Sequence, residues 1–313
     1  MKLKATADTY VVYKQSLGMD FRTAAKTLRA FCRVIGDVEL QEIEPDAVLD
    51  FLKGSGLTRY WHNKLGVLRG FYRFVISRGY VSVSPLPTVI PKQPRIFSPY
   101  IYSEDEIRRL LTSAPLVCKH PRCDVQGNTF QTLLFLVWGT GLRISEALRL
   151  RLRDVDLAHD LLTIHDTKFF KSRLVPMDPR LTSNLSAYAA LRRKLPRLDG
   201  EDSVFFVSRQ GKCLGRDYVE SYFRKLCELV GVKREDGSRY QPRLHDLRHG
   251  FASSRILQWY RLGANVQRLL PHLSTYLGHV NLSDTQRYLT ATAEVLQEAS
   301  ARFERYAMEV NDG

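Results

Sequence analysis

The sequence predicts a mainly α-helical protein of two domains, with one small β-hairpin in the second domain. Three observations predict this class. Apolar residues recur at helical spacing along most of the 313-residue chain. Five prolines between residues 85 and 99 would interrupt any helix there, and they separate a shorter N-terminal part from a longer C-terminal part. Two short apolar runs, at residues 161–164 and 173–176, have the composition of strands that pair as a hairpin.

The domain limits follow from the prolines and from helix-capping residues. Pro45 is typical of the first turn of a helix, and Gly54 of the residue that follows one. Ser103 and Glu106 have the spacing of a capping box, which predicts a helix start. We therefore expect a helical domain over residues 1–92, a proline-rich linker over residues 93–102 and a mixed α/β domain over residues 103–313, which ends in a helix over residues 294–309.

The charge of the chain indicates a polyanionic partner. Lys and Arg number 47 against 33 Asp and Glu, which gives a net charge of +14 and a pI of about 9.6. Such a charge favours nucleic acid or an anionic membrane surface. No apolar run approaches the roughly 18 residues of a membrane span, and the N-terminus lacks the apolar core of a signal peptide, so we expect no membrane partner. Five cysteines without a disulfide framework suit the cytoplasm.

Part of this charge is concentrated near the end of the first domain. From Phe51 to Ser103 the sequence contains no Asp or Glu. Thr58 could cap a helix there, with Leu65, Leu68, Tyr72 and Val75 facing inward. A stretch of this length without compensating acids favours contact with phosphates over a merely solvated surface. The candidate contacts are Arg59, Lys64, Arg69 and Arg73.

Two arginines in the second domain are candidates for holding a phosphodiester. A guanidinium fork pairs with two phosphate oxygens and keeps its proton at neutral pH. Arg143 follows Thr140-Gly141-Leu142 and is expected at a helix start. Arg248 lies one helical turn after His245, which places both on one helix face. Alone, such a pair would be an ordinary surface feature, but the chain carries further groups of the same chemistry.

A tyrosine is the candidate nucleophile. Tyr288 follows Leu277-Gly278-His279 by nine residues, whereas Tyr276 and Tyr306 have apolar neighbours that are typical of packing. A phenol has an ordinary pKa near 10, so it needs cations or a base nearby to attack well. The leaving sugar oxygen needs a proton, and Lys168 in the hairpin is a suitable donor, with Lys171 as the rival.

Together these motifs resemble the tyrosine recombinase (phage integrase) family. The resemblance covers about residues 1–310 and rests on five segments, together with the two-domain layout: residues 140–148, Lys168, residues 245–249, residues 277–279 and Tyr288. It implies a helical core-binding domain and a mixed catalytic domain that hold duplex DNA between them. It also implies strand cleavage through a 3′-phosphotyrosine and religation to a partner strand, without a cofactor, metal or nucleotide.

The resemblance also implies a role for each matching residue. Arg143 and Arg248 hold the scissile phosphate, and Lys168 protonates the leaving 5′-oxygen. His245 acts as acid and base, His279 hydrogen-bonds the phosphate, and Tyr288 is the nucleophile. Glu146 is expected to orient neighbouring groups.

The chain departs from compact family members between Arg248 and His279, which are thirty-one residues apart. We expect this segment to lengthen a helix and its loop without moving the motifs. The sequences around His279 and Tyr288 resemble those of transposon-encoded members, including recombinases that occur as trios. This likeness suggests a role in the integration or excision of a mobile element.

Assembly is expected from the same resemblance. Strand exchange joins two duplexes through four cleavages, which implies a homotetramer on DNA, with related recombinases as further partners. Within the terminal helix the apolar side chains recur every four residues, at Val295, Ala299, Phe303 and Ala307. This stripe could pack on its own domain or dock into a neighbouring protomer.

Two alternative functions use the same residues. A type IB topoisomerase-like enzyme would nick and close DNA with the same arginines and tyrosine. A metal-dependent phosphohydrolase would use His245, Asp246 and His249, since histidines at positions i and i+4 can share a metal. The sequence offers no further metal ligands at useful spacing, and the phosphohydrolase hypothesis leaves Tyr288 without a role.

Overall fold

A computed structural model describes residues 1–53, 59–92, 99–118, 123–165, 172–194, 200–238, 240–290 and 292–311, with only the backbone at position 59 and over 305–311. The described residues divide into two compact units. The first comprises residues 1–92, and the second comprises the described residues from 99 onward.

The N-terminal unit is helical throughout its regular structure. Its helices are α1 (Leu3–Ser16), α2 (Arg22–Ile35), α3 (Pro45–Lys53) and α4 (Arg59–Ser77), with a 3₁₀ turn at Leu40–Glu42. The predicted start of α3 at Pro45 is confirmed, while Gly54 and Thr58 lie outside the described residues. The core contains the four residues predicted to face inward from α4, which are Leu65, Leu68, Tyr72 and Val75.

The second unit begins with helices and contains a small sheet. They are α5 (Glu104–Ser113), α6 (Gly127–Thr140), the single turn α7 (Ile144–Ala147), α8 (Pro179–Arg192) and α9 (Arg216–Leu229). The capping box that predicts α5 is confirmed, because the Glu106 backbone N–H donates to Ser103 Oγ and the Ser103 N–H donates to Glu106 Oε2. α6 carries the largest share of the core, with Phe130, Leu133 and Leu136 fully buried.

The predicted hairpin is confirmed. Strands β2 (Leu161–Ile164) and β3 (Arg173–Pro176) pair antiparallel, with Leu161 opposite Pro176 and Ile164 opposite Arg173. A further strand, β1 (Val155–Asp156), pairs antiparallel with β2 and gives the sheet order β1-β2-β3. Leu162, Ile164 and Val175 turn their side chains into the core. The tip of the hairpin, over residues 166–171, lies outside the described residues, and so do Lys168 and Lys171.

The C-terminal part of this unit is helical. It comprises α10 (Asp246–Arg261), α11 (Val266–Leu277), the short α12 (Ser283–Gln286), a 3₁₀ turn at Arg287–Thr290 and α13 (Ala293–Asn311). The long interval between Arg248 and His279 is therefore the rest of α10 followed by a second helix. α13 packs against α10, with Val295 fully buried between them. None of the helices in the described ranges combines the length and the apolarity that a bilayer crossing needs.

Candidate active site

Arg143 lies at the N-cap of α7, as the sequence predicts. Its backbone N–H donates to Glu146 Oε2 at 3.0 Å, and its Nη1 donates to Glu146 Oε1 at 2.9 Å. Its Nη2 donates to the carbonyl oxygen of Gly278 at 3.2 Å. The side chain remains 36% exposed, so part of the guanidinium is accessible to a ligand. Because α7 is a single turn, an anion at this position would be held by the Arg143 cation rather than by the helix end.

Glu146 is shared by two arginines. Arg173, at the start of β3, donates from Nη2 to Glu146 Oε2 at 2.9 Å and from Nη1 to Oε1 at 3.2 Å. Burial by itself would raise the pKa of the Glu146 carboxyl, but the hydrogen bonds and charge of Arg173, followed by the charge of Arg143, lower it to about 2. The carboxylate is therefore ionised at all physiological pH values and can orient Arg143.

Arg248 is almost completely buried, on the first turn of α10. Its Nη1 donates to the carbonyl oxygen of Gly141 and its Nη2 to that of Leu277, both at 2.7 Å. Among the described residues it forms no ion pair with a carboxylate. Burial and the neighbouring charge of Arg143 lower its pKa to about 10, so it remains a cation at neutral pH. Arg143 and Arg248 thus donate to adjacent carbonyls, those of Gly278 and Leu277, at the end of α11.

Three histidines lie beside these arginines. The His279 Nδ1 pairs with Thr285 Oγ1 at 2.7 Å. The rings of His245 and His249 meet edge to face, with centroids 5.0 Å apart. His245 retains an exposed surface, yet loss of solvent around its ring and then the charge of Arg248 lower its pKa to about 4.

The other two histidines are more enclosed, and their pKa values are also lowered. Burial and then the neighbouring cations lower the pKa of His279 to about 3. Burial and the adjacent His245 lower that of His249 to about 3 as well. All three imidazoles are therefore neutral at pH 7 and can accept or donate one hydrogen bond each.

Tyr288 lies on the 3₁₀ turn after α12, within the same group of side chains. Its ring centroid is 5.5 Å from that of His249 and 6.2 Å from that of His279, which it nearly parallels. The residue is 2% exposed. Burial raises the pKa of the phenol, while the charges of Arg248 and Arg287 act in the opposite direction. The phenol is therefore protonated in this state and must lose its proton during any attack.

Tyr276 has a packing environment. Its ring stacks on Phe251 at a centroid distance of 5.7 Å, and its hydroxyl donates to the carbonyl oxygen of Pro176. Burial raises the pKa of this phenol to about 12. The side chain of Tyr306 is outside the described part of α13.

The candidate DNA contacts of the first unit differ in their exposure to solvent. Arg69 and Arg73 are exposed on α4, and the side chain of Arg59 lies outside the described residues. Lys64 is only 8% exposed, and its ammonium donates to the carbonyl oxygen of Phe51 at 2.8 Å and lies over the Phe51 ring. The prediction that Lys64 contacts phosphate is therefore corrected: this lysine is a packing residue, because its donors are turned into the unit.

The arrangement does not favour the metal-dependent alternative. The Asp246 carboxylate is fully buried and accepts from the Arg243 backbone N–H at 2.9 Å and from its guanidinium at 3.1 Å. Its oxygens are thus occupied by an arginine that would oppose a cation. No group of three His, Cys, Asp or Glu side chains within the described ranges is close enough to hold a metal ion.

Three residues of the site were missed by the sequence analysis. Arg173 and Gly278 have no assigned role there, although Gly278 lies inside a quoted motif. His249 was considered only as a metal ligand, yet it contacts both His245 and Tyr288, and its buried Nδ1 has no hydrogen-bond partner among the described residues. A signal was available for Gly278, since a glycine between two functional positions often marks a backbone that other groups approach closely.

The chain is similar in sequence to known integrases and recombinases. Residues 102–294 match the phage integrase family. The putative integrase/recombinase y4rB of Sinorhizobium fredii is 34% identical over 95% of each chain. A tyrosine recombinase XerC of Thermodesulfovibrio yellowstonii is 28% identical over 85% of each chain.

Solved structures agree on the fold. The Tn1549 transposon integrase in complex with transposon right end DNA superposes with a TM-score of 0.72 at 15% identity, over 98% of this chain and 100% of that one. The XerH site-specific recombinase bound to its difH substrate superposes with a TM-score of 0.63 at 19% identity, over 90% of this chain and 77% of that one. On the family match and the 34% identical relative, the chain belongs to the phage integrase family of tyrosine recombinases.

Proposed function

We propose that the protein is a site-specific DNA recombinase that cleaves and rejoins strands through Tyr288. The observation that carries the proposal is the convergence of two arginines on the end of α11, with the Tyr288 ring beside His279 and His249. A phosphodiester bound there would receive two guanidinium groups and lie next to a phenol. Family membership supports the same reaction.

The reaction balances without a redox partner. The Tyr288 oxygen attacks phosphorus and forms a 3′-phosphotyrosine, the bond from phosphorus to the 5′-oxygen breaks, and the phenolic proton passes to a neighbouring base. The leaving 5′-oxygen takes up a proton and departs as a hydroxyl. Attack by a 5′-hydroxyl of a partner strand reverses these steps and restores the free phenol. Neutral His245 can accept the proton, and Arg143 and Arg248 stabilise the charge on the non-bridging oxygens.

Duplex DNA is the proposed partner, and a homotetramer on DNA the proposed assembly. Solved structures of similar fold contain DNA, including a transposon end, which supports DNA binding and a role in the movement of a mobile element. The same relatives are integrases and recombinases, which does not favour a topoisomerase-like enzyme. Exposed Arg69 and Arg73 are proposed to contact the DNA backbone.

Covalent trapping tests the proposal. Nicked duplexes that tile the DNA flanking the gene should yield a protein–DNA adduct, because loss of the short strand after cleavage prevents religation. Tyr288→Phe should abolish the adduct and leave DNA affinity nearly unchanged. Tyr276→Phe is the matched control, since it removes a phenol from the same unit and should still form the adduct. An adduct that survives in Tyr288→Phe, or maps to Tyr276, would refute the assignment.

A modified substrate tests whether Lys168 is the proton donor. Lys168→Ala should cleave slowly on ordinary DNA and recover on a substrate whose 5′-leaving atom is sulfur, because a thiolate departs without a proton. Recovery of Lys171→Ala instead would transfer the role to that lysine.

A further inference from the structure

Arg173 is an arginine of the site that has no role in the proposed reaction. It occupies the first position of β3, and its side chain is 8% exposed, against 36% for Arg143. A phosphate that reaches Arg143 therefore has little access to Arg173. Burial alone does not separate the two roles, since Arg248 is only 2% exposed, but Arg173 is paired with a carboxylate, whereas Arg248 has no carboxylate partner among the described residues.

The guanidinium of Arg173 is engaged on two sides by the protein. Nη1 and Nη2 form a two-pronged contact with the Glu146 carboxylate, and Nε donates to the carbonyl oxygen of Tyr276 at 2.8 Å. Tyr276 is followed at once by Leu277 and Gly278, whose carbonyls hold Arg248 and Arg143. The Arg173 side chain thus connects β3, the carboxylate behind Arg143, and the end of α11.

Gly278 shows how closely these groups are packed. A Cβ built at this glycine would lie 2.6 Å from Arg173 Nη1 and 2.9 Å from its Cζ. The plane of the guanidinium therefore rests against the backbone at Gly278, on which Arg143 also donates. A shift of Arg173 toward residue 278 would therefore disturb the same peptide.

The summed charge of Arg143, Glu146 and Arg173 determines how strongly this part of the site attracts a phosphate. Arg143 and Glu146 alone would sum to zero, so the buried carboxylate would cancel the field that Arg143 offers to an anion. Addition of Arg173 returns the three-residue group to a net charge of +1. The carboxylate is shared between two cations, and Arg143 is oriented by Glu146 without being neutralised by it.

We propose that Arg173 is a positioning residue for the cleavage reaction, which neutralises Glu146 so that the charge of Arg143 remains available to the scissile phosphate. Its contact with Tyr276 fixes the same guanidinium to the end of α11. The inference rests on the proposed function, because it assumes that Arg143 holds the phosphate under attack.

A double-mutant cycle separates this electrostatic role from simple bracing of β3. Arg173→Met should slow single-turnover cleavage on the trapped nicked duplex by about 100-fold, the scale of a misplaced binding group. Glu146→Gln removes the charge that Arg173 balances. In the Glu146→Gln background, Arg173→Met should lower the cleavage rate by roughly tenfold or less, since no carboxylate remains for Arg173 to neutralise. DNA affinity should change little in either case, so the loss appears in the cleavage rate.

The dependence on pH gives a second readout. Glu146 is faced by Arg143 from α7, Arg173 from β3 and Arg248 from α10, and Arg173 makes the largest favourable contribution to its ionised form. Without Arg173 the carboxyl should therefore take up a proton at a higher pH. The rate of Arg173→Met relative to wild type should rise as the pH falls, and this trend should be absent when Glu146→Gln is also present.

Arg192→Met is the control for stability. Arg192 is buried in the same unit, but it donates to the carbonyls of Val204 and Phe205 and to Ser203 Oγ, away from the site. Its loss should lower the melting temperature without a rescue by Glu146→Gln. If Arg173→Met does not fold, Arg173→Gln keeps donors for Glu146 and Tyr276 without the charge, and it enters the same cycle.

The outcomes are distinct. A cost of Arg173→Met that is equal in both backgrounds would overturn the inference and leave Arg173 as a brace, while wild-type adduct formation keeps the proposed function intact. Failure of the wild-type protein to form any adduct on the tiled duplexes would overturn the proposed function and this inference with it. Rescue by Glu146→Gln, together with relief at low pH, supports the inference.

Discussion

Substitution of Gly278 by alanine should disturb the site more than it disturbs the fold. Gly278 closes α11 with a φ of +68°, a left-handed conformation that costs a residue with a Cβ roughly 1–2 kcal/mol. In a unit of this size that cost lowers the melting temperature by roughly 2–8 °C. The new Cβ would also lie 2.6 Å from Arg173 Nη1, whereas ordinary contact begins at 3.4 Å, so the guanidinium must withdraw by about 0.8 Å.

That withdrawal should weaken the contacts of Arg173 with Glu146, which are 2.9 and 3.2 Å long and become poor beyond about 3.5 Å. Cleavage should then fall by about 100-fold, as expected for a misplacement of this order. Gly263→Ala is the matched control. Gly263 has a φ of +67° near the end of α10, but a Cβ there meets no atom within 4 Å.

The assay compares single-turnover adduct formation with the midpoint of thermal unfolding for both variants, at a temperature well below either midpoint. Gly263→Ala should lose stability alone, whereas Gly278→Ala should lose both stability and cleavage. Equal cleavage by the two variants would refute the argument that Arg173 needs the space at residue 278.

Four further outcomes are expected. Arg248→Lys keeps a cation but loses the donors to two carbonyls, so cleavage should fall severely, and near-normal rates would contradict recognition by a guanidinium fork. Replacement of Arg69 and Arg73 together by alanine should weaken binding to all DNA sequences and reduce the slope of log K against log salt by up to about 1.8. An unchanged slope would mean that these residues are solvated and do not contact phosphate. Phe303 is 71% exposed on α13, so Phe303→Ser should impair cooperative assembly on paired sites while binding to a single site persists, which gel-shift titrations can measure. The pKa of His249 is lower in the folded state than in the unfolded state, where it is about 6.5, so below that pH the unfolded chain takes up a proton that the folded chain does not. The folded protein therefore loses stability as the pH falls from 7 to 5, and His249→Asn should lose less stability over this range than wild type.

Much of the fold was accessible from the sequence because its signals are local. The capping pair Ser103 and Glu106 and the two runs of the hairpin each depend on neighbouring residues, and the structure confirms them. Strand β1 was not predicted, since two residues carry no periodicity. Its existence depends on the pairing surface that β2 offers.

The burial of Lys64 illustrates a conflict between two signals. Its basic side chain in a stretch without acids favours contact with phosphate, yet its position three residues after Trp61 and four before Leu68 places it on the buried face of α4. Helical spacing was the better guide. A lysine tolerates such a position because its stem is apolar and its ammonium reaches a backbone carbonyl, here that of Phe51.

The role of Arg173 could not be read from the sequence for a different reason. Its partner Glu146 is 27 residues away, and its second contact, with Tyr276, spans 103 residues. In a chain with 47 basic residues, an arginine at a strand start resembles any other surface cation. Only the folded chain shows that it is buried and paired.

The charges of the site make its groups costly to the stability of the folded protein. Arg248 is buried against carbonyl oxygens and the Tyr288 phenol, with no carboxylate partner among the described residues, and such a cation destabilises the folded state. The buried Glu146 carboxylate is shared between Arg143 and Arg173. The histidines remain neutral because another proton would add to an excess of positive charge. In the proposed reaction a phosphodiester would supply negative charge to this group, so binding of DNA would offset part of that cost, and the neutral imidazoles would become better proton acceptors when Tyr288 loses its proton.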